Sequence, residues 1–69
     1  MDENLVFQSP PIQLVSLLTG DDVAQILKIS RSFAYLLMKS GQIPTVRLGR
    51  SVRVRPQDLL AYIGNNTSL

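Results

Sequence analysis

The chain contains neither cysteine nor histidine. Without cysteine there is no disulfide framework and no thiolate metal site. Without histidine the commonest metal ligand and the commonest general base at neutral pH are missing as well. Long hydrophobic runs are also lacking. Polar residues interrupt every apolar stretch within a few positions, so nothing in the sequence spans a membrane. The N-terminus is acidic and its apolar part ends at Pro10-Pro11, which does not read as a secretory signal. The expected setting is cytoplasmic. At 69 residues there is little room for both a core and an enclosed substrate cleft. The 45% apolar content favours one compact core over a disordered chain.

What is present is a one-sided distribution of charge. All seven basic residues (Lys28, Arg31, Lys39, Arg47, Arg50, Arg53 and Arg55) fall in one interval. The five acids, Asp2, Glu3, Asp21, Asp22 and Asp58, all lie outside it. The net charge of +2 therefore conceals a block of +7, seven cations with no acid, which points to an anionic partner.

Local signals predict three helices. Thr19 is placed as an N-cap for the amide of Asp22, and Thr19…Asp22 has the spacing of a capping box. Asp21 and Asp22 suit the positive end of the helix dipole. Val23, Ile26 and Leu27 fall at i, i+3 and i+4 and predict one apolar face, with Ala24 small enough for a second helix to approach. This helix ends near Lys28. Ser30 caps a second helix over 31–40, with Ala34, Leu37 and Met38 towards the core and Gly41 as its stop. Pro56 and Asp58 suit the first turn of a third helix. Its stripe is Leu59, Tyr62 and Ile63, and Gly64-Asn65-Asn66 ends it. Asp21, Asp22 and Asp58 thus all have roles at helix starts. No base, nucleophile or metal cluster accompanies them, so the sequence predicts neither an enzyme nor a metal, cofactor or small-molecule substrate.

Between the second and third helices, Pro44 bars a helix and the pattern switches to period two. Val46-Arg47-Leu48 and Val52-Arg53-Val54 flank Gly49-Arg50-Ser51, which reads as a β-hairpin with a three-residue loop. Pairing Leu48 with Val52 and Val46 with Val54 puts all four apolar side chains on one face. That register sets Arg47 opposite Arg53, a like-charge pair that a docked anion would relieve.

The expected architecture is mainly α with a small β-hairpin, a winged helix-turn-helix of three short helices plus an antiparallel two-stranded wing. The expected boundaries are an N-terminal tail over 1–16, the folded domain over 17–64 and a frayed C-terminus over 65–69. On the second helix Arg31, Tyr35 and Lys39 recur every four residues along one stripe, beside Ser32, and Ser30 offers amides at the helix start. These residues, with Arg47, Arg50 and Arg53 of the wing, are the candidate nucleic-acid contacts. Phe33 and Leu36 are large apolar residues on a surface expected to be polar.

The ordered series Leu17-Leu18-Thr19…Val23-Ala24…Leu27…Ile29-Ser30-Arg31-Ser32…Tyr35…Leu37…Ser40-Gly41…Ile43-Pro44…Val46-Arg47-Leu48-Gly49-Arg50…Arg53-Val54…Leu59…Tyr62-Ile63 resembles the excisionase-type helix-turn-helix family, distant kin of MerR winged-helix proteins. The resemblance implies double-stranded DNA as partner, with helix two (31–40) in the major groove and the wing (46–55) on the backbone or an adjacent minor groove. It implies an architectural excisionase-like factor or a small prophage-type transcriptional regulator, with a recombinase or another DNA-bound copy as a further partner. Three positions depart from the family pattern. Lys28 stands where glycine is frequent, Leu36 where arginine is, and Phe33 where threonine is. The alternative is a protein-interaction module that keeps the winged fold and uses Phe33, Leu36 and the apolar N-terminal tail.

Overall fold

The computed structural model describes residues 16–68. The expected tail, apart from Ser16, and Leu69 lie outside them. The element order is α1 (Gly20–Leu27), α2 (Arg31–Lys39), β1 (Val46–Leu48), β2 (Ser51–Arg53) and α3 (Pro56–Asn65), which is the expected mainly helical domain with a two-stranded hairpin.

Each helix starts where its local chemistry predicts. The Thr19 hydroxyl accepts from the Asp22 amide at 3.0 Å, and the Asp22 carboxylate accepts from the Thr19 amide at 2.9 Å, closing a capping box at the head of α1. Ser30 Oγ accepts from the Phe33 amide at 3.1 Å at the head of α2. Pro56 opens α3. Lys28 ends α1 in the left-handed region (φ 58°, ψ 47°) and its amide donates to the Ala24 carbonyl. A non-glycine residue there carries a steric cost, which is accepted because the tight turn delivers Ser30 to cap α2.

The core is Val23, Ala24, Ala34, Leu37, Met38, Ile43, Val54 and Leu59, with Leu18, Leu27, Ile29, Val52 and Tyr62 packed partly against it. Ala24 and Ala34 are both small, and their burial allows α1 and α2 to pack closely. Two positions of the predicted apolar faces are corrected: Ile63, in the stripe of α3, is 38% exposed and outside the core, and Ile26 lies outside it too. Ile26 is 52% exposed, because the inward face of α1 runs through Val23 and Ala24 rather than through Val23 and Ile26. Ile43 is fully buried, although no helical or strand periodicity marks it as core. Its amide donates to the Leu37 carbonyl at 3.2 Å, which folds the chain after α2 back onto the core.

The hairpin register is also corrected. Val46 pairs with Arg53, Arg47 with Val52 and Leu48 with Ser51, leaving the two-residue loop Gly49-Arg50. Gly49 has φ +64° and Arg50 has no positive φ, the pattern of a type II′ turn, whose twist matches the strands it joins. Directly paired residues share a face. Val46, Leu48, Ser51 and Arg53 therefore lie on one side, and Arg47 and Val52 on the other. The four apolar residues are split, and Arg47 and Arg53 are not opposite each other, so the case for an anion held between them falls. The second reason is long-range. Val54 leaves the hairpin to form an antiparallel bridge with Leu18, with Leu18 N to Val54 O and Val54 N to Leu18 O both 2.8 Å. This puts Val54 fully in the core without any pairing to Val46.

Candidate nucleic-acid interface

The orientation of α2 follows from its buried stripe. Ala34, Leu37 and Met38 are 0%, 3% and 6% exposed. At about 100° per residue, Ser32 and Leu36 lie within about 30° of the line directly opposite that stripe, and Lys39 lies beside them. All three are exposed, and they form the centre of the outward face.

Arg31 and Tyr35 stand on the flank nearest α1, and each has an intramolecular partner. Arg31 Nε donates to Asp21 Oδ1 at 2.8 Å, an exposed ion pair linking the first turns of the two helices. The Tyr35 ring lies over Gly20, where an added Cβ would come within 2.4 Å of Cζ. Tyr35 is nevertheless 45% exposed. The expected stripe of Arg31, Tyr35 and Lys39 is therefore a shoulder bound to α1 at two of its three positions, while Lys39 stays outward in the last turn. Ser30 is engaged in its cap, and its hydroxyl already accepts one amide.

Phe33 stands on the opposite flank. With Leu27, Ile29, Leu37, Tyr62 and Ile63 it lines a groove of about 290 Å³ between α2 and α3. It remains 46% exposed.

In the wing, Arg47 and Arg50 are exposed. Arg50 occupies the loop tip next to Gly49. Arg53 is half-buried and donates from Nη1 to the carbonyl of Val52 at 3.0 Å. Its charge is felt at Asp22, whose carboxyl is held below its ordinary pKa first by the Thr19 amide, then by the Thr19 side chain, against an opposing effect of burial, and least by Arg53. Arg55 closes on Asp58 through Nε to Oδ2 at 2.6 Å and Nη2 to Oδ1 at 3.0 Å. These bonds raise the Arg55 pKa and lower that of Asp58. Within the basic block, Arg31 and Arg55 are thus paired with acids that lie outside it, which sequence alone did not reveal. A charge at i+3 from Arg55 was the signal available for Asp58. The Asp21–Arg31 pair spans ten positions, and only the turn geometry brings it together.

Among the described residues no helix is long and apolar enough to cross a membrane. No group of three or more His, Cys, Asp or Glu is placed to hold a metal ion there.

Comparison with known proteins bears on the family of the domain. Over 47 residues, 68% of this chain, the sequence is 43% identical to "Uncharacterized protein YvgK" of Bacillus subtilis (strain 168), of which the match covers 15%. Over 38 residues, 55% of this chain, it is 45% identical to "Putative DNA-binding protein Rv0500A" of Mycobacterium tuberculosis (strain ATCC 25618 / H37Rv), of which 49% is covered. The same values hold for "Putative DNA-binding protein MT0521" of strain CDC 1551 / Oshkosh. The chain thus spans about half the length of the mycobacterial relatives and a smaller part of the B. subtilis one. No solved structure matches it significantly. The model of the family described as "Helix-turn-helix domain" matches residues 17–67, from the segment that bridges to Val54 through the end of α3, and the chain belongs to that family.

Proposed function

We propose that this domain binds double-stranded DNA, with α2 lying in the major groove and the β1–β2 wing resting on the backbone or in an adjacent minor groove. The observation that carries this reading is the outward face of α2. It is capped by Ser30, docked on α1 through Ala24 and Tyr35, and left uncovered at Ser32, Leu36 and Lys39. A major groove admits one such helix. The mycobacterial relatives, each named a "Putative DNA-binding protein", support the same partner.

The roles divide by position. Ser32 and Lys39 face the groove floor or its rim. Arg31 and Tyr35, held from the α1 side, reach the flanking strand, and Ser30 with the start of α2 offers amides to a phosphate. Arg50 reaches furthest from the wing, since narrow minor grooves attract arginine. Arg47 contacts phosphate from the wing's other face, and Arg53 contributes charge from a more restrained position. Phosphate contacts supply affinity and register without reading sequence.

The domain then serves as an architectural factor of the excisionase kind or as a small transcriptional regulator, alone on DNA or beside another copy or a recombinase. It acts without catalysis and without a cofactor. Selection of bound sequences from a random duplex pool tests this reading. Enrichment of a defined site supports it, and failure to retain any duplex at low salt overturns it. The groove at Phe33, Tyr62 and Ile63 favours a second reading, a protein-docking module, which failure of that selection would leave standing.

A further inference from the structure

We infer that Leu36 is a specificity-determining residue that reads the C5-methyl group of thymine in the major groove. The inference rests on the DNA-binding reading above and adds to it the base feature recognised. Leu36 is 57% exposed and lies almost directly opposite the core stripe of α2, where no other described part of the domain covers it. Its neighbours one turn away are Ser32, Lys39 and Ser40, all polar and exposed, and Phe33 on the side towards α3. Among the described residues nothing buries the Leu36 side chain. Phe33 differs in this respect, because it leans into the groove beside Tyr62 and Ile63.

A helix entering the major groove on this face brings Leu36 to the base edges first. Most groups there are hydrogen-bond donors and acceptors, and Leu36 would strip their water without replacing it. The exception among the four bases is the thymine methyl, which is apolar and projects into the groove. Leu36 therefore gains affinity over a thymine and loses it over a guanine or cytosine edge. Ser32 and Lys39, on either side, provide the adjacent polar contacts and orient the helix so that the methyl meets the leucine.

The experiment uses the full chain and the duplex recovered by random-pool selection. Each thymine in the site is replaced singly by deoxyuridine, which removes the methyl and leaves base pairing intact, and affinities are measured for the wild type and for Leu36→Ala. In the wild type, replacement at one or two positions should weaken binding roughly three- to fourfold for each buried methyl lost. In Leu36→Ala the same replacements should have no effect. An equal loss in both proteins would mean that the methyl acts through DNA shape or another residue, and no loss in either would mean that Leu36 faces something else. Either result overturns the inference while leaving DNA binding intact. Failure to select any duplex would overturn the binding reading itself, and this inference with it. Because Leu36 is exposed, Leu36→Ala should melt with the wild type, which separates loss of contact from loss of fold.

Discussion

The Tyr35 ring lies over the backbone of Gly20, so near that a Cβ at position 20 would stand 2.4 Å from Cζ, 2.6 Å from Cε1 and 2.7 Å from Cε2. The first residue of α1 is thereby a seat for a side chain of α2, and a Cβ at position 20 would have to displace the half-exposed end of that ring. Gly20→Ala should displace the ring and destabilise the fold by up to about 1 kcal/mol, below the usual cost of overpacking a closed core. In a Tyr35→Ala background the clash disappears, and the same substitution should become neutral or stabilising by up to about 1 kcal/mol, since alanine suits a helix better than glycine. Urea denaturation of the four proteins measures the cycle, and additive effects would show that the ring does not bear on Gly20.

The pairing of Arg31 with Asp21 sets an acid against a proposed phosphate contact. Both side chains are well exposed, so Asp21→Asn should change stability by no more than about 1 kcal/mol. DNA affinity should rise, because Arg31 is released and a repulsive charge is removed from beside the phosphates. Fluorescence anisotropy with a labelled duplex measures it. Weaker binding by Asp21→Asn would identify Asp21 as the residue that positions Arg31.

Two carboxylates tie stability to pH. Asp22 is held below its ordinary pKa by the Thr19 amide, and Asp58 by its bonds to Arg55. A depressed folded-state pKa means that the unfolded chain takes up the proton more readily. The stabilising contribution is therefore complete above the unfolded value, near pH 4, and is lost as the pH falls through the folded values. The melting temperature followed by circular dichroism should decline below about pH 4. Asp22→Asn, which retains an acceptor for the Thr19 amide, should flatten that decline, and an unaltered profile would remove Asp22 from the cause.

Adjacent leucines of α2 should behave oppositely. Leu37→Ala opens the core and should cost roughly 2–5 kcal/mol. Leu36→Ala, at an exposed position, should change stability by no more than about 0.5 kcal/mol. Thermal melts of both variants measure this, and similar losses would mean that α2 is rotated about its axis from the orientation described.

The parts of the fold legible in the sequence are those governed by neighbours within a few residues. Thr19 and Asp22, Ser30, and Pro56 mark the helix starts because capping is a local exchange of hydrogen bonds, and Ala34, Leu37 and Met38 mark the inner face of α2 by spacing alone. In the hairpin, turn chemistry overrides the apolar alternation that favours the other register. Gly49 at positive φ makes a two-residue loop, and the burial of Val54 is decided by Leu18, a residue 36 positions earlier that no local pattern connects to it. Val23, Ile26 and Leu27 of α1 all fit one apolar face by spacing, and only the packing of Ala24 against α2 decides that Ile26 turns outward. In the candidate site the residue types were legible and their partners were not. That Arg31 meets Asp21, that Tyr35 meets Gly20, and that Arg53 folds against its own strand all depend on how α1, α2 and the wing are placed in space.

The most direct measurement is the salt dependence of affinity for duplex DNA. With about five phosphates neutralised by α2 and the wing, log K should fall against log salt with a slope of roughly −4 to −5. Arg50→Ala should reduce that slope by about 1 without lowering the melting temperature. A slope near zero, or one that Arg50→Ala leaves unchanged, would contradict a phosphate grip by the basic block.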